Sequence, residues 1–434
     1  MKSWLMKMLS GFRLLARWMK LRWKLRDVLG FVKVQLPTNN HPSKMPSSTH
    51  PGYRIYLLGA GFSRPAGLPV ASELFPLVRS AIERRHGTDT KFHRDLRNYL
   101  SYCADCGISS QREESLDLEV FMSYLDIEHY LGLRGGDTWS REGNESQLMI
   151  KRAIGEVIHS HTPPGDKLPD IYYRFAEQLS LNDTVLTLNY DLVLERALAH
   201  VGKAFRRYPN RFKSLSAHGG VVDSDIEELV LLKLHGSLDW FDDRQYLALK
   251  DSVRDVAPGY LPRHDVFRDP SRFEVAPLVD GLLPAEDALR HIHFISRVDE
   301  YYREARGLNA PFILSPSHVK FVYAEPLMSF WHGWGRAGGY NTGVSVIGFS
   351  LPTHDEYIRI CLYQMLSNYG SWWGERFLGV LKDYARFVDY KPTDEYKRAY
   401  VDRYRFADPE RSRFFFDGFG PEAIDFLFHQ PRDA

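Results

Sequence analysis

Three short strings in this 434-residue chain combine residue types that chemistry needs with places where a backbone can present them. Gly59-Ala60-Gly61-Phe62-Ser63 follows an apolar run and precedes a helical pattern. Because its glycines lack Cβ atoms, such a turn lets backbone amides approach a pyrophosphate, although a plain tight turn uses the same residues. A dehydrogenase fingerprint needs a further glycine at position 64, where Arg64 stands, and no acidic strand end follows about twenty residues on. Hydride transfer on an ordinary dinucleotide-binding domain is therefore disfavoured. Thr187-Leu188-Asn189-Tyr190-Asp191 sets an amide and a carboxylate two residues apart at a strand end. Both can point into one crevice, or either can cap the helix that follows. Leu234-His235-Gly236-Ser237 places an imidazole at another strand end. That position suits proton transfer near neutral pH, or simply packing.

Metal chemistry has thinner support. Cys103-Ala104-Asp105-Cys106 is a single C-x-x-C pair with no second one, and His93 nearby does not complete a set. Structural zinc ordinarily takes four such ligands. His291 and His293 are two apart, a spacing that puts them on opposite faces of a strand. No metal is expected.

The elements that must position these groups alternate short apolar runs with helical patterns. Strands are expected at 53–59, 183–191, 229–237, 311–317, 343–350 and 384–390. Helices are expected from Pro69 to Arg85, from Leu192 to His200 and from His354 to about Tyr369. Runs that are apolar throughout imply a Rossmann-like, mostly parallel α/β sheet covered by helices on both faces. Ligands bind such sheets outside the carboxyl ends of strands, where GAGFS, LNYD and LHGS all fall. Two stretches read as insertions, a helical one at about 90–181 and another at about 238–310.

Composition narrows the class. With 44% apolar and 26% charged residues the chain is globular rather than disordered or fibrous. Its net charge of +1 is unlike that of a uniformly basic nucleic-acid binder, but the balance is uneven. Residues 1–36 hold nine basic side chains against Asp27 alone, net +8, which leaves −7 on the other 398 residues. Leu5, Met8, Phe12, Leu15, Met19 and Trp23 share one face of a helix, flanked by Arg13, Arg17, Lys20 and Lys24. Such a leader suits an anionic membrane surface, a partner or a targeting role, or it precedes a true start at Met45. A Pro/Ser/Asn/His-rich linker completes residues 1–52, and 53–434 form the α/β domain. Three cysteines and no uncharged apolar run of spanning length fit a cytoplasmic protein without a disulfide framework.

Taken in order, GAGFS, T-x-N-x-D and H-G resemble the sirtuin (silent-information-regulator) superfamily over about 53–390. Ala66-Gly67-Leu68-Pro69 continues the first string, and Gly348-Phe349-Ser350 resembles the family's later glycine–serine turn. VIGFSLPTHD (346–355) looks most like a bacterial sirtuin-like defence branch. Its members hydrolyse NAD upon phage infection and are found with Thoeris, Argonaute or translocase-ATPase partners. The resemblance implies NAD as substrate, with Gly59, Ala60, Gly61, Ser63, Thr187, Gly348 and Ser350 binding it. It implies that Asn189 orients the attacking water or the ribose hydroxyls, that Asp191 holds the carboxamide and that His235 is the base. A homo-oligomer is expected. The chain departs from deacylases at Val70-Ala71-Ser72, where they carry D-F-R, and in lacking two C-x-x-C pairs. Two rivals stand beside NAD hydrolysis: NAD-dependent protein deacylation, and a non-catalytic subunit that binds NAD or ADP-ribose.

Overall fold

The computed structural model describes residues 53–108, 116–134, 140–216, 219–334, 337–352, 355–371 and 382–428. The basic leader and its linker lie outside the described residues, as do Thr353 and His354.

Seven strands form the central sheet. They are β1 (Arg54–Leu58), β2 (Thr184–Thr187), β3 (Phe205–Arg206), β6 (Leu229–Lys233), β10 (Gly343–Ile347), β11 (Ala385–Val388) and β12 (Ser412–Phe415). Across the sheet they run in the order β12-β11-β10-β1-β2-β6-β3. Every pairing between them is parallel. Side chains alternate faces, so one sheet feeds two cores. Tyr56, Leu58, Val185, Leu231 and Val388 pack on one side. Ile55, Leu57, Leu186, Leu232, Val346 and Phe387 pack on the other. Burying each of these large apolar side chains contributes roughly 1.5–3 kcal/mol, which is why the short strands hold.

A single helical turn, α1 (Ala60–Ser63), follows β1. The first core is covered by α2 (Ala71–His86), α3 (Lys91–Asp105), α4 (Leu118–Tyr130), α5 (Glu145–His161), α6 (Asp170–Gln178) and α7 (Val193–His200). Their starts follow capping chemistry. Asn144 Oδ1 accepts from Gln147 N at 3.0 Å while Gln147 Oε1 accepts from Asn144 N at 2.7 Å, a reciprocal box that opens α5. Asp117 Oδ1 accepts from Glu119 N at 2.8 Å and opens α4.

Residues 238–310 hold α8 (Arg244–Ser252), α9 (Val298–Glu304) and a small antiparallel sheet of β7 (Trp240–Asp242), β9 (Ile292–Ile295) and β8 (Val275–Pro277). A second antiparallel pair joins β4 (Phe212–Ser216) to β5 (Gly219–Val222). The second core is closed by α10 (Met328–Trp331), α11 (Glu356–Ser371), α12 (Asp394–Arg403) and irregular segments around 278–292. The last helix, α13 (Pro421–Phe428), returns to the first core through Ala423, Ile424, Phe426 and Leu427.

The structure corrects several expectations. The run 311–317 is not a strand of the sheet: Ile313 makes only an isolated bridge to Gly236. Pro311 and Pro316 have no N–H to donate to a ladder, so the segment is buried without strand geometry. The short strands β3 and β12 join the sheet at its two edges.

Candidate functional site

The strand order places β1 centrally, with β10 on one side and β2 on the other. The chain leaves β1 toward β2 but leaves β10 toward β11, so the connections of these two adjacent strands run in opposite directions, the switch point outside whose carboxyl ends such sheets bind ligands. The GAGFS string, LNYD and LHGS all leave the sheet there.

Gly59 follows β1 directly and leads into α1. The Gly59 amide donates to the Ile347 carbonyl and that of Gly61 to the Gly348 carbonyl, both at 2.9 Å. A Cβ on Gly59 would sit 2.6 Å from Gly348 O and 2.7 Å from Phe349 Cβ. Gly348 itself has a φ of 66°, in the left-handed region. The glycines thus allow two strand-end loops to touch backbone to backbone. Tyr172 fastens the turn from below: its hydroxyl donates to the Phe62 carbonyl at 2.8 Å and accepts from Ala66 N at 3.1 Å.

Asn189 lies two residues past β2. Its Nδ2 donates to the Gly59 carbonyl at 2.9 Å and to Ser63 Oγ at 3.1 Å, while its own amide N donates to Thr187 Oγ1 at 3.1 Å. Ser63, 1% exposed, also hydrogen-bonds the Asp191 side chain. One hydroxyl therefore joins the amide and the carboxylate to the double-glycine turn. Asp191 Oδ1 accepts from Val193 N at 3.0 Å, so the helix-capping role is realised at this residue. Burial pushes its carboxyl above the usual range, opposed by the Lys233 ammonium, the Val193 amide and Ser63. Lys233 Nζ in turn donates to the Asp191 carbonyl and, at 2.8 Å, to Glu195 Oε1.

His235 lies two residues past β6 and is 5% exposed. Its Nε2 is 2.6 Å from Tyr357 Oη on the first turn of α11, and the ring also hydrogen-bonds the backbone of Leu188, next to Asn189. Burial first, then the Lys320 ammonium, hold the imidazole well below its ordinary pKa, so it is neutral at pH 7. Lys320 is paired with Asp355 at 3.0 Å and lies 4.0 Å from Glu119 of α4. Tyr190 caps this corner, its hydroxyl donating to the Leu314 carbonyl at 2.7 Å.

The structure therefore brings Gly59, Gly61, Ser63, Thr187, Asn189, Asp191 and Gly348 into one bonded cluster, with His235 beside it against Leu188 and Tyr357. Ala60 is exposed on the short turn, and the Ser350 carbonyl accepts from Arg403 Nη1 at 3.0 Å. Sequence motifs alone give no role to Tyr357, Lys320 or Asp355. Asp355 closes the VIGFSLPTHD string and Tyr357 stands two residues beyond it, a proximity that was the available signal.

His291 and His293 do not face apart as a strand spacing suggests. His291 Nδ1 is 2.8 Å from Asp243 Oδ1 and His293 Nδ1 is 3.8 Å from Asp243 Oδ2, because His291 precedes β9 in a tight turn. Among the described residues, no group of three or more His, Cys, Asp or Glu is placed to hold a metal ion. No helix among them is long and apolar enough to cross a membrane.

Residues 183–256 match a family model described as a SIR2-like domain, a stretch that takes in β2, β6 and the Asn189, Asp191 and His235 positions. Among solved structures the chain is similar to a sirtuin studied for the structural basis of substrate affinity, at 12% identity over 88% of this chain and 93% of that chain, TM-score 0.31. It is likewise similar to Sir2Tm bound to a propionylated peptide, at 11% identity over 88% and 92%, TM-score 0.32. A third is Sir2 with a p53 peptide and NAD+, at 12% identity over 88% and 92%, TM-score 0.29. No curated protein matches the chain.

Proposed function

We propose that this chain is an NAD+ glycohydrolase that releases nicotinamide and leaves ADP-ribose, and that it serves as an anti-phage effector by depleting NAD. The observation that carries the reading is the buried imidazole of His235, bonded to Tyr357 just past β6, together with an Asn189 just past β2 that is bonded to the GAGFS turn. The SIR2-like match across these residues supports NAD as the dinucleotide.

In NAD the leaving group is already cationic, so its departure needs no acid. Cleavage of the C1′–N bond leaves an oxocarbenium-like centre and a neutral nicotinamide. The site then needs positioning, polar support for the ribose and a base. Asn189 Oδ1 is the polar atom of this side chain left over once Nδ2 has bonded the turn, and it orients the water or the ribose hydroxyls. Asp191, held by Ser63 and Lys233, supports the carboxamide end. His235 receives the proton. Gly59, Ala60, Gly61, Ser63 and Ser350, with Gly348 beside them, form the rim that receives the phosphates and the other ribose, and Thr187 belongs with Asn189 and Asp191 at the nicotinamide end. The glycines contribute room rather than donors, because the Gly59, Gly61 and Gly348 amides are bonded to strand-end carbonyls. The protein acts in the cytoplasm as a homo-oligomer, with a translocase ATPase or an Argonaute-type protein as its partner.

Purified full-length protein is incubated with NAD while nicotinamide and ADP-ribose are followed by chromatography, alone and in cells challenged with phage. His235→Ala should lower the rate by about 10²–10⁴-fold, the range for loss of general-base assistance, and Asn189→Ala should also abolish most of it. Nicotinamide release that needs an acylated peptide would replace hydrolysis with deacylation. No release in either setting, with NAD bound, would leave a binding subunit.

A further inference from the structure

We infer that Tyr357 is a further catalytic residue, its hydroxyl carrying the proton between the attacking water and His235; the inference rests on the NAD-cleaving reading above. Leu188 engages one side of the imidazole through its backbone, and Tyr357 Oη stands 2.6 Å from Nε2. That distance is the one a reacting O–H must reach for general-base transfer, roughly 2.6–3.2 Å. The phenol therefore occupies the place at the base where a direct mechanism would put the substrate.

The ring is held there by packing. Trp331 and Phe321 flank it, with ring centres at 5.6 Å and 6.4 Å. The His235 ring lies 6.2 Å from it centre to centre, and the Tyr190 ring lies 6.4 Å from that of His235. The charged surroundings fix both protonation states. Burial, together with Asp355, Tyr190, Cys361 and Glu119 facing the phenol, raises its pKa, so it keeps its proton. Lys320 faces the imidazole and, after burial, keeps it neutral. A neutral phenol beside a neutral imidazole donates its O–H to Nε2 and keeps two oxygen lone pairs for an incoming proton.

The step balances. The C1′–N bond breaks and its electron pair returns to the nicotinamide ring. Water adds its oxygen to C1′ and passes one proton to Tyr357 Oη, while the phenol proton moves to His235 Nε2. The resulting imidazolium retains the Leu188 backbone on one side and Tyr357 on the other, and returns its proton to solvent after product leaves.

The test uses full-length wild type, His235→Ala and Tyr357→Phe, the last removing one oxygen and keeping the ring. Nicotinamide release is measured from pH 5.5 to 9 with kcat and KM separated, and the His235 pKa is followed by NMR of labelled histidine. Tyr357→Phe should lower kcat about 10²-fold, within the usual range for a lost proton-transfer group, with KM changed less than about threefold. Because the phenol donates to the neutral imidazole, its removal should raise the His235 pKa and move the acid limb of the profile to higher pH. A Tyr357→Phe rate within twofold of wild type, or above it, overturns the relay while leaving His235 as base if His235→Ala is inactive. An unchanged His235 pKa overturns the hydrogen-bonded pair itself, whatever the activity. Wild type that binds NAD but releases no nicotinamide overturns the hydrolase reading and the relay with it.

Discussion

Lys233 and Glu195 offer a quantitative check on how the site is held. Both are buried, at 1% and 7% side-chain exposure, and Nζ lies 2.8 Å from Glu195 Oε1. At that separation and an effective dielectric near 20, their attraction is about 6 kcal/mol gross. Desolvation of two ions cancels much of this, so the intact pair stabilises little over an apolar pair. Breaking it is another matter. Lys233→Met leaves a buried carboxylate without its cation and removes the donor to the Asp191 carbonyl. The expected cost is about 3–5 kcal/mol. Glu195→Leu strands the ammonium instead and should cost a similar amount, softened because Lys233 keeps the Asp191 carbonyl. The double variant removes both ions and should lie within about 2 kcal/mol of wild type, a coupling of several kcal/mol. Urea unfolding of the four proteins at pH 7, followed by tryptophan fluorescence and circular dichroism, measures this cycle. Lys233→Met within about 1 kcal/mol of wild type, or a double variant whose loss equals both single losses together, would refute the reasoning.

Other features give further expected outcomes. Gly348→Ala forces a left-handed residue and presses a Cβ onto Phe62 N and the Gly61 backbone, so it should cost about 2–5 kcal/mol. Gly67→Ala, at a φ of 90° but in open space, should cost only about 1–2 kcal/mol in the same unfolding assay. Burial pushes His264 down to about 4, so the unfolded chain binds the proton first as pH falls. Its contribution is complete above pH 6.5 and lost towards pH 4, about 3 kcal/mol in all; His264→Asn should flatten unfolding free energy against pH across that window, and an unchanged slope would contradict this. The Arg152 guanidinium is buried against Tyr301 and Tyr302, with Nε and Nη1 lacking partners among the described residues. Arg152→Met should therefore change stability by less than about 1.5 kcal/mol, and a loss above about 3 kcal/mol would show that its stacking outweighs its desolvation.

Much of the sheet was legible because parallel strands covered on both faces are apolar throughout, and runs such as RIYLL and LVLLK suit a doubly covered strand better than any solvent-facing element. The same rule misread 311–317, where PFILSPS is equally apolar but carries prolines that a central strand excludes. Strands β3 and β12 carry no such signal because they are edge pieces containing Arg206 and Arg413, with half-buried positions and no long apolar run. At the site, residues fixed by backbone chemistry were readable: glycines at the touching loops, and polar groups just past strand ends. Tyr357 was not. Its meeting with His235 spans 122 residues of sequence and depends on where α11 docks, which no local pattern encodes.

The Leu188 anchor has a consequence for how this corner can change over time. The group that steadies one side of the imidazole is main chain, so a codon change at position 188 leaves the hydrogen-bonding atom in place as long as β2 keeps its path. The opposite contact belongs to a side chain, and a single nucleotide can erase it. Drift should thus preserve which way the ring points far longer than it preserves what the ring exchanges protons with. Lineages of this fold could swap that second group without rebuilding the sheet beneath.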